Sequence, residues 1–327
     1  MHPFPGRRRG LHRSFGVVCA AVLLAACSAC SSSADGGRSD EKSEPGIAAT
    51  PPVLSTVGLR LPLDAYDATY EETEALQEGQ GTLVARCMAR YGFRYSIPRR
   101  TGSPATGGAN ARIFGVVDPD EAARYGYGVP GEERTPGRTP QKLTASEEIA
   151  LNGAPDLKPT DMPRSQAEAV KKGGSKQRIN GKPVPVGGCG REAFLKLYAP
   201  EPNAVDVMYV FNLKSQAESR AREDSRTKTV NKYWSDCMAR KGHTAADPMN
   251  VTTELGIADD ALSSPAAVTA AKADVSCKKE VNLVGVYLAV QSAYQNRQID
   301  KFAETLDLAK EQLKDRLKLA ASLISAS

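Results

Sequence analysis

The side chains with the most chemistry open to them in this chain are its cysteines: seven in 327 residues, against three histidines and one tryptophan. Four of them form a repeat. Cys237-Met238-Ala239-Arg240-Lys241-Gly242-His243 echoes the earlier Cys87-Met88-Ala89-Arg90-Tyr91-Gly92-Phe93, and a proline follows each cysteine eleven residues on, at Pro98 and Pro248. Downstream, Cys189-Gly190-Arg191-Glu192 and Cys277-Lys278-Lys279-Glu280 share the pattern Cys-x-basic-Glu. A cysteine nucleophile wants a base, most often histidine. Cys237 and His243 share one motif, but the twin carries Phe93 at that place, so His243 reads as a surface or helix-end residue. A zinc site wants close pairs such as Cys-x-x-Cys, and beyond residue 26 only Cys27 and Cys30 are that near. Bridging remains. Cys87, Cys189, Cys237 and Cys277 allow three connectivities. The repeat selects the one in which each Cys-Met-Ala-Arg helix end is tied to a Cys-x-basic-Glu helix start: Cys87 with Cys189, and Cys237 with Cys277.

Other constellations are weaker. Asp118-Pro119-Asp120-Glu121 has carboxylates for a cation but lacks the glycine and spacing of an EF-hand loop; it reads as a helix start with Asp118 as N-cap and Pro119 at the first position. There is no Gly-Lys-Ser/Thr phosphate loop and no dinucleotide fingerprint, and no Gly-x-Ser-x-Gly elbow. No catalytic residue, cofactor site or metal ligand is assigned.

The formal charge of +5 is concentrated at the N-terminus. Arg7, Arg8, Arg9 and Arg13 precede an apolar run from Phe15 to Ala26, too short to span a bilayer and suited to the h-region of an export signal. Without those four arginines the chain has 39 basic residues against 38 acidic ones. Near neutrality gives no general reason to expect nucleic acid as a partner. The run ends Leu24-Ala25-Ala26-Cys27, which resembles the lipobox of bacterial lipoproteins. That resemblance implies removal of residues 1–26, a thioether-linked diacylglyceryl group on Cys27 and an acyl chain such as palmitate on its amine. Two or three chains anchor stably where one is marginal, at roughly 0.8 kcal/mol per buried CH₂. Residues 27–57, rich in serine, glycine and mixed charge, read as a flexible tether. Cys30 within it is a free thiol, an intermolecular bridge or incidental.

The remainder, 58–327, reads as a single mostly helical domain made of two divergent half-repeats, about 58–198 and 204–327, with an irregular insert over 99–188. A helix opens at Asp64 and runs to Cys87, weakened by Gly79 and Gly81 and stopped at Gly92. In the insert, Ile113–Val117 suggests a short strand, Thr144 or Ser146 a cap for a helix through Leu151, and Ile179-Asn180-Gly181-Lys182 a hairpin whose second strand Pro183 and Pro185 confine to an edge. A long helix spans Ala204 to Arg240, with a polar centre over Ser215–Lys228 placed at the surface. Ser264-Pro265 starts another, passing through Cys277 to about Arg297. A last helix is capped by Asp300, or the two run together. Its stripe of Phe302, Leu306, Ala309, Leu313, Leu317, Ala320 and Ile324 demands a partner, either this chain's own core or a second chain.

Leu24–Cys27, Cys87–Phe93, Gly187–Ala193, Trp234–His243 and Cys277–Glu280 together resemble uncharacterised exported lipoproteins of actinobacteria such as streptomycetes. That resemblance implies a location, the outer face of the cell membrane, and no activity. The function expected is a non-enzymatic binding or structural role in the cell envelope, with the membrane as partner through the lipid and an envelope protein or wall component as a further one. The insert is the first place to look for the binding surface. Two alternatives remain: an exported hydrolase working with paired carboxylates, and a transporter's solute-binding protein.

Overall fold

The computed structural model describes residues 43–47, 49–96, 107–131 and 142–326. The leader 1–26, Cys27, Cys30 and Pro98 lie outside them. The chain divides into two units at Ser43/Glu44, and the fold below belongs to the second. It is mainly helical, with two short strands.

Local capping chemistry sets most of the boundaries. Asp64 does not begin the first long helix. Its carboxylate accepts from the Leu61 N–H at 2.8 Å and closes a 3-10 turn, Pro62–Tyr66. Helix α1, Tyr70–Ala89, starts after Thr69, whose hydroxyl accepts from the Glu72 N–H while Glu72 accepts from the Thr69 N–H. This reciprocal capping box satisfies two otherwise orphaned donors, and Thr-x-x-Glu is its signature in the sequence. The next helix, α2, Pro119–Tyr125, is capped by Asp118 Oδ1, which accepts from the Asp120 and Glu121 N–H groups at 2.7 and 2.9 Å. Helix α3, Ala145–Asn152, is capped by Thr144. Helix α4, Gln166–Lys172, begins at Ser165, whose hydroxyl accepts from the Glu168 N–H, and the Ser165-x-x-Glu168 pattern is its local signal. Strands β1, Arg178–Ile179, and β2, Lys182–Pro183, pair antiparallel with Arg178 opposite Pro183 and Ile179 opposite Lys182. Asn180 and Gly181 between them both have positive φ, the requirement of a type I′ turn.

Helix α5, Gly188–Tyr198, closes the first half, and the second carries α6 (Tyr209–Glu223), α7 (Ser225–Arg240), α8 (Val251–Glu254), α9 (Pro265–Glu280) and α10 (Leu283–Ser325). Two expectations fail here. Ala204–Arg240 is not one helix: it breaks at Asp224, whose extended backbone and carboxylate cap α7. That carboxylate is buried and accepts from Arg226 and from the Tyr294 hydroxyl, so the polar centre of this segment is only partly at the surface. The helix from Pro265 stops at Glu280 because Asn282 takes a left-handed conformation (φ 51°). Asparagine tolerates that region, and its amide donates to the Thr50 carbonyl at 2.8 Å. Past Asp300 the chain runs on, as one of the two alternatives has it, but Phe302 (φ −122°, ψ 24°) is non-helical and kinks α10 there. Ile113–Val117 is not a strand either. It is a series of turns that drops Phe114, Val116 and Val117 into the largest apolar cluster, around Trp234 and Met238.

Residues 44–47 and 49–56, which composition places in the tether, are docked. Glu44 accepts from the Ser225 N–H and hydroxyl at the start of α7 (2.6 and 2.7 Å), Ile47 joins a cluster with Ala217 and Val290, and Val53 packs on the Trp234 cluster. The stripe on α10 is covered by this chain: Leu306 packs with Leu63, Val210 and Leu213, and Ala320 with Leu76 and Leu197. A β-carbon placed on Gly79 would lie 2.8 Å from the Ala320 β-carbon. Gly79 therefore marks a close crossing of α1 and α10, not a weak point. Among the described residues no helix is long and apolar enough to cross a membrane.

At the centre of the largest cluster lies a buried polar node. The Lys278 ammonium donates to Asp274 Oδ2 (2.9 Å) and to the Val116 carbonyl (3.1 Å), and Trp234 Nε1 donates to Asp274 Oδ1 (2.9 Å). Lys278, Asp274 and Trp234 are at most 2% exposed. Burial pushes the Asp274 carboxyl upward, against the pull of Lys278 and Trp234.

Two outcomes follow. Gly79→Ala gains about 1 kcal/mol of helix propensity but forces two helices apart, at about 1–3 kcal/mol; denaturant midpoints are expected to show net destabilisation. Lys278→Met strands a buried charge and is expected to cost about 3–5 kcal/mol, while Asp274→Asn with Lys278→Met recovers most of it. Trp234 fluorescence during urea unfolding reads both.

Candidate functional site

The site is built on the repeat. Helix α1 ends in a Schellman motif: the Phe93 N–H reaches the Met88 carbonyl at 3.2 Å and the Gly92 N–H the Ala89 carbonyl at 3.0 Å. Helix α7 ends the same way, His243 to Met238 at 3.0 Å and Gly242 to Ala239 at 3.0 Å. Gly92 and Gly242 have φ of 85° and 84°, the left-handed position that glycine fills without penalty. His243 thus contributes its backbone N–H to a helix end.

Each helix end is then clamped twice. Cys87 is bonded to Cys189 and Cys237 to Cys277. In the chain-entropy picture, bridges across 102 and 40 residues are worth about 4.7 and about 3.9 kcal/mol. Beside each sulfur pair the arginine three residues after the first cysteine meets the glutamate three residues after the second. Arg90 Nη2 lies 2.5 Å from Glu192 Oε2, and Arg240 Nη2 lies 2.6 Å from Glu280 Oε1. The halves differ in one respect. Cys189 opens α5, as expected, but Cys277 sits in the last turn of α9 rather than at a helix start.

In the first half the insert walls a cavity of about 360 Å³ against this clamp. Helix α4 supplies Gln166, Ala169 and Val170; β2 and the residues after it supply Lys182, Pro183 and Val186; α5 supplies Glu192 and Leu195. Two tyrosine and lysine contacts hold the hairpin in place: Tyr91 donates its hydroxyl to the Pro183 carbonyl (2.7 Å), and Lys182 donates to the Arg90 carbonyl (2.8 Å). Asn180 adds a bond to the Tyr91 carbonyl at 2.9 Å. Glu192 is shared between Arg90 and Lys196, the latter at 2.6 Å. Burial alone would raise its carboxyl, but the hydrogen bonds from Arg90 and Lys196 outweigh that and hold it below the ordinary 4.5. Burial raises the Tyr91 phenol.

Motif and spacing do not single out Arg90, Glu192, Lys182 or Val170 as site residues. A signal for the first two is nevertheless present, because Arg and Glu occur at the same offset from cysteine in both copies. Lys182 and Val170 carry no such mark; only the hairpin and α4 bring them together. Asp118 is committed to capping α2. Among the described residues no group of three His, Cys, Asp or Glu side chains is placed to hold a metal. Comparison with known families, with curated proteins and with solved structures finds no match.

The lowered Glu192 carboxyl has a definite pH sign. The folded chain binds fewer protons there than the unfolded one, so this contribution is present above the ordinary value and lost as pH falls through the lowered one. Glu192→Gln is expected to be less stable than wild type at neutral pH and flatter from about pH 5 down to about pH 3, as read from urea midpoints across that range.

Proposed function

We propose that this protein is a lipid-anchored component of the bacterial cell envelope, held on the outer face of the cell membrane, and that it binds a ligand or partner without turning it over. Leu24-Ala25-Ala26-Cys27 at the end of a short apolar run behind four arginines is the observation that carries the reading. Lipidation at that cysteine explains why an export signal ends on a thiol. The two disulfides are consistent with it, since such bridges persist in oxidising compartments and are rare in the cytosol. The cavity beside the first clamp supports the binding role. The two-lobed α/β build of a solute-binding protein has no counterpart among the described residues.

Metabolic labelling with an alkynyl palmitate in an expressing bacterium tests the anchor. Label and membrane association are expected in the wild type and absent in Cys27→Ser. An unlabelled full-length chain in the cytosol, with Cys27 free, would refute the proposal. Turnover of wall glycans or peptides by the purified chain would replace the binding role with the exported hydrolase.

A further inference from the structure

The cavity beside the Cys87–Cys189 bridge combines a charge imbalance with an apolar lining. Two cations, Arg90 and Lys182, line it with one carboxylate, Glu192. Arg90 and Lys196 take one oxygen of Glu192 each. Lys182 has no described carboxylate in ion-pair range; its ammonium spends one of three donors on the Arg90 carbonyl. Arg90 bonds Glu192 Oε2 and approaches Cys87 Sγ at 2.8 Å through Nη2, and its guanidinium lies 6.0 Å from the centre of the Tyr91 ring; its Nε and Nη1 donors have no described acceptor. On α4 the acid Glu168 is already paired with Lys172 at 2.8 Å. The net positive side therefore lacks an anion. The apolar lining includes Val170, Pro183 and Val186, and Val170 is 71% exposed. A volume of about 360 Å³ is at the lower end of ligand clefts, about 300–1,000 Å³.

We propose that this cavity binds a small carboxylic acid with a branched aliphatic body, the size of one acylated amino acid. Its carboxylate lies on Lys182 and the free edge of Arg90, and its body covers Val170 and Val186. The inference deepens the binding role above and rests on it, but not on the anchor. The second half provides an internal contrast. Its clamp is the same, yet there Lys241, the counterpart of Tyr91, reaches across to the Ser276 hydroxyl at 3.2 Å, and no inserted hairpin is laid against it.

The full chain, titrated with N-acetyl-L-leucine and followed by amide NMR shifts, tests the assignment. The acid is expected to bind with a dissociation constant on the order of 1 mM, as its few heavy atoms allow. N-acetyl-L-leucine amide, which lacks the charge, is expected to bind about five-fold more weakly, the worth of one exposed ion pair. Lys182→Gln should remove that difference by weakening the acid alone, and Val170→Asp should abolish binding of both; both residues are exposed, and a circular dichroism spectrum confirms the fold. A tripeptide ending in leucine that binds more tightly than the single residue assigns a peptide end as the source, and equal or weaker binding assigns a free acid. Equal affinity for acid and amide in the wild type, or no shifts at Lys182, Val170 and Val186 at about ten times the expected constant, overturns the proposal. The labelling experiment fails or succeeds independently of this one.

Discussion

The structure depends on a strut made of two bonds of different kinds, placed at the end of a helix. A disulfide fixes the distance between two helices, and an arginine–glutamate pair one turn away fixes their rotation about it. Each corrects a weakness of the other. An exposed ion pair contributes little by itself, because two long side chains must be ordered for a weak gain in water. Here the sulfur bridge has already brought the backbones together, so less ordering remains. Conversely, a single bridge leaves two helices free to swing. The strut occurs twice, and the helix ends it holds are built alike down to the two hydrogen bonds that close each one.

The strut alone would not join the halves. Helix α10 does that, lying along α1, α6 and α7, with its small residues where the approach is closest. Gly79 and Ala320 meet with no room for one added carbon. The chain ahead of the first helix crosses the breaks at Asp224 and Asn282 and fastens both, through Glu44 and through the Thr50 carbonyl. Both breaks lie at polar residues rather than at glycine or proline, and both are held by partners distant in sequence. The buried Asp274–Lys278 pair has a similar character. A lysine and an aspartate one turn apart on a helix are normally a surface pair; here the turns at Gly115 and Val116 cover them, and the Val116 carbonyl and the Trp234 ring nitrogen complete their hydrogen bonding.

Function is best located where the two copies of the strut differ. The first copy carries a long insertion between its two cysteines. Parts of that insertion serve the core: α2 packs against α9, and Phe114 reaches the Trp234 cluster. The remainder, α4 and the hairpin, bends back over the strut and encloses a cavity. A rigid floor with an inserted wall is a common way to place a binding surface, because the floor limits the entropy lost when a ligand is held. The polar and apolar sides of this cavity are both supplied by residues whose other partners are few.

Much of this was legible before any coordinates. The repeat determined the cysteine pairing, since two copies of one unit must close alike. Ser, Thr and Asp at helix starts and glycine at helix ends determined most boundaries, because those residues satisfy backbone groups within three or four positions of themselves. The asparagine–glycine turn did the same for the hairpin. What the chain alone did not reveal depends on contacts between distant segments. The stop at Asn282, the burial of Lys278, the docking of residues 44–47 and 49–56 and the placing of Lys182 and Val170 on one cavity have no local signature. Their physical cause is packing: whether a polar residue lies inside or outside, and whether a glycine is a weakness or a contact, is decided by the neighbour that tertiary folding brings to it.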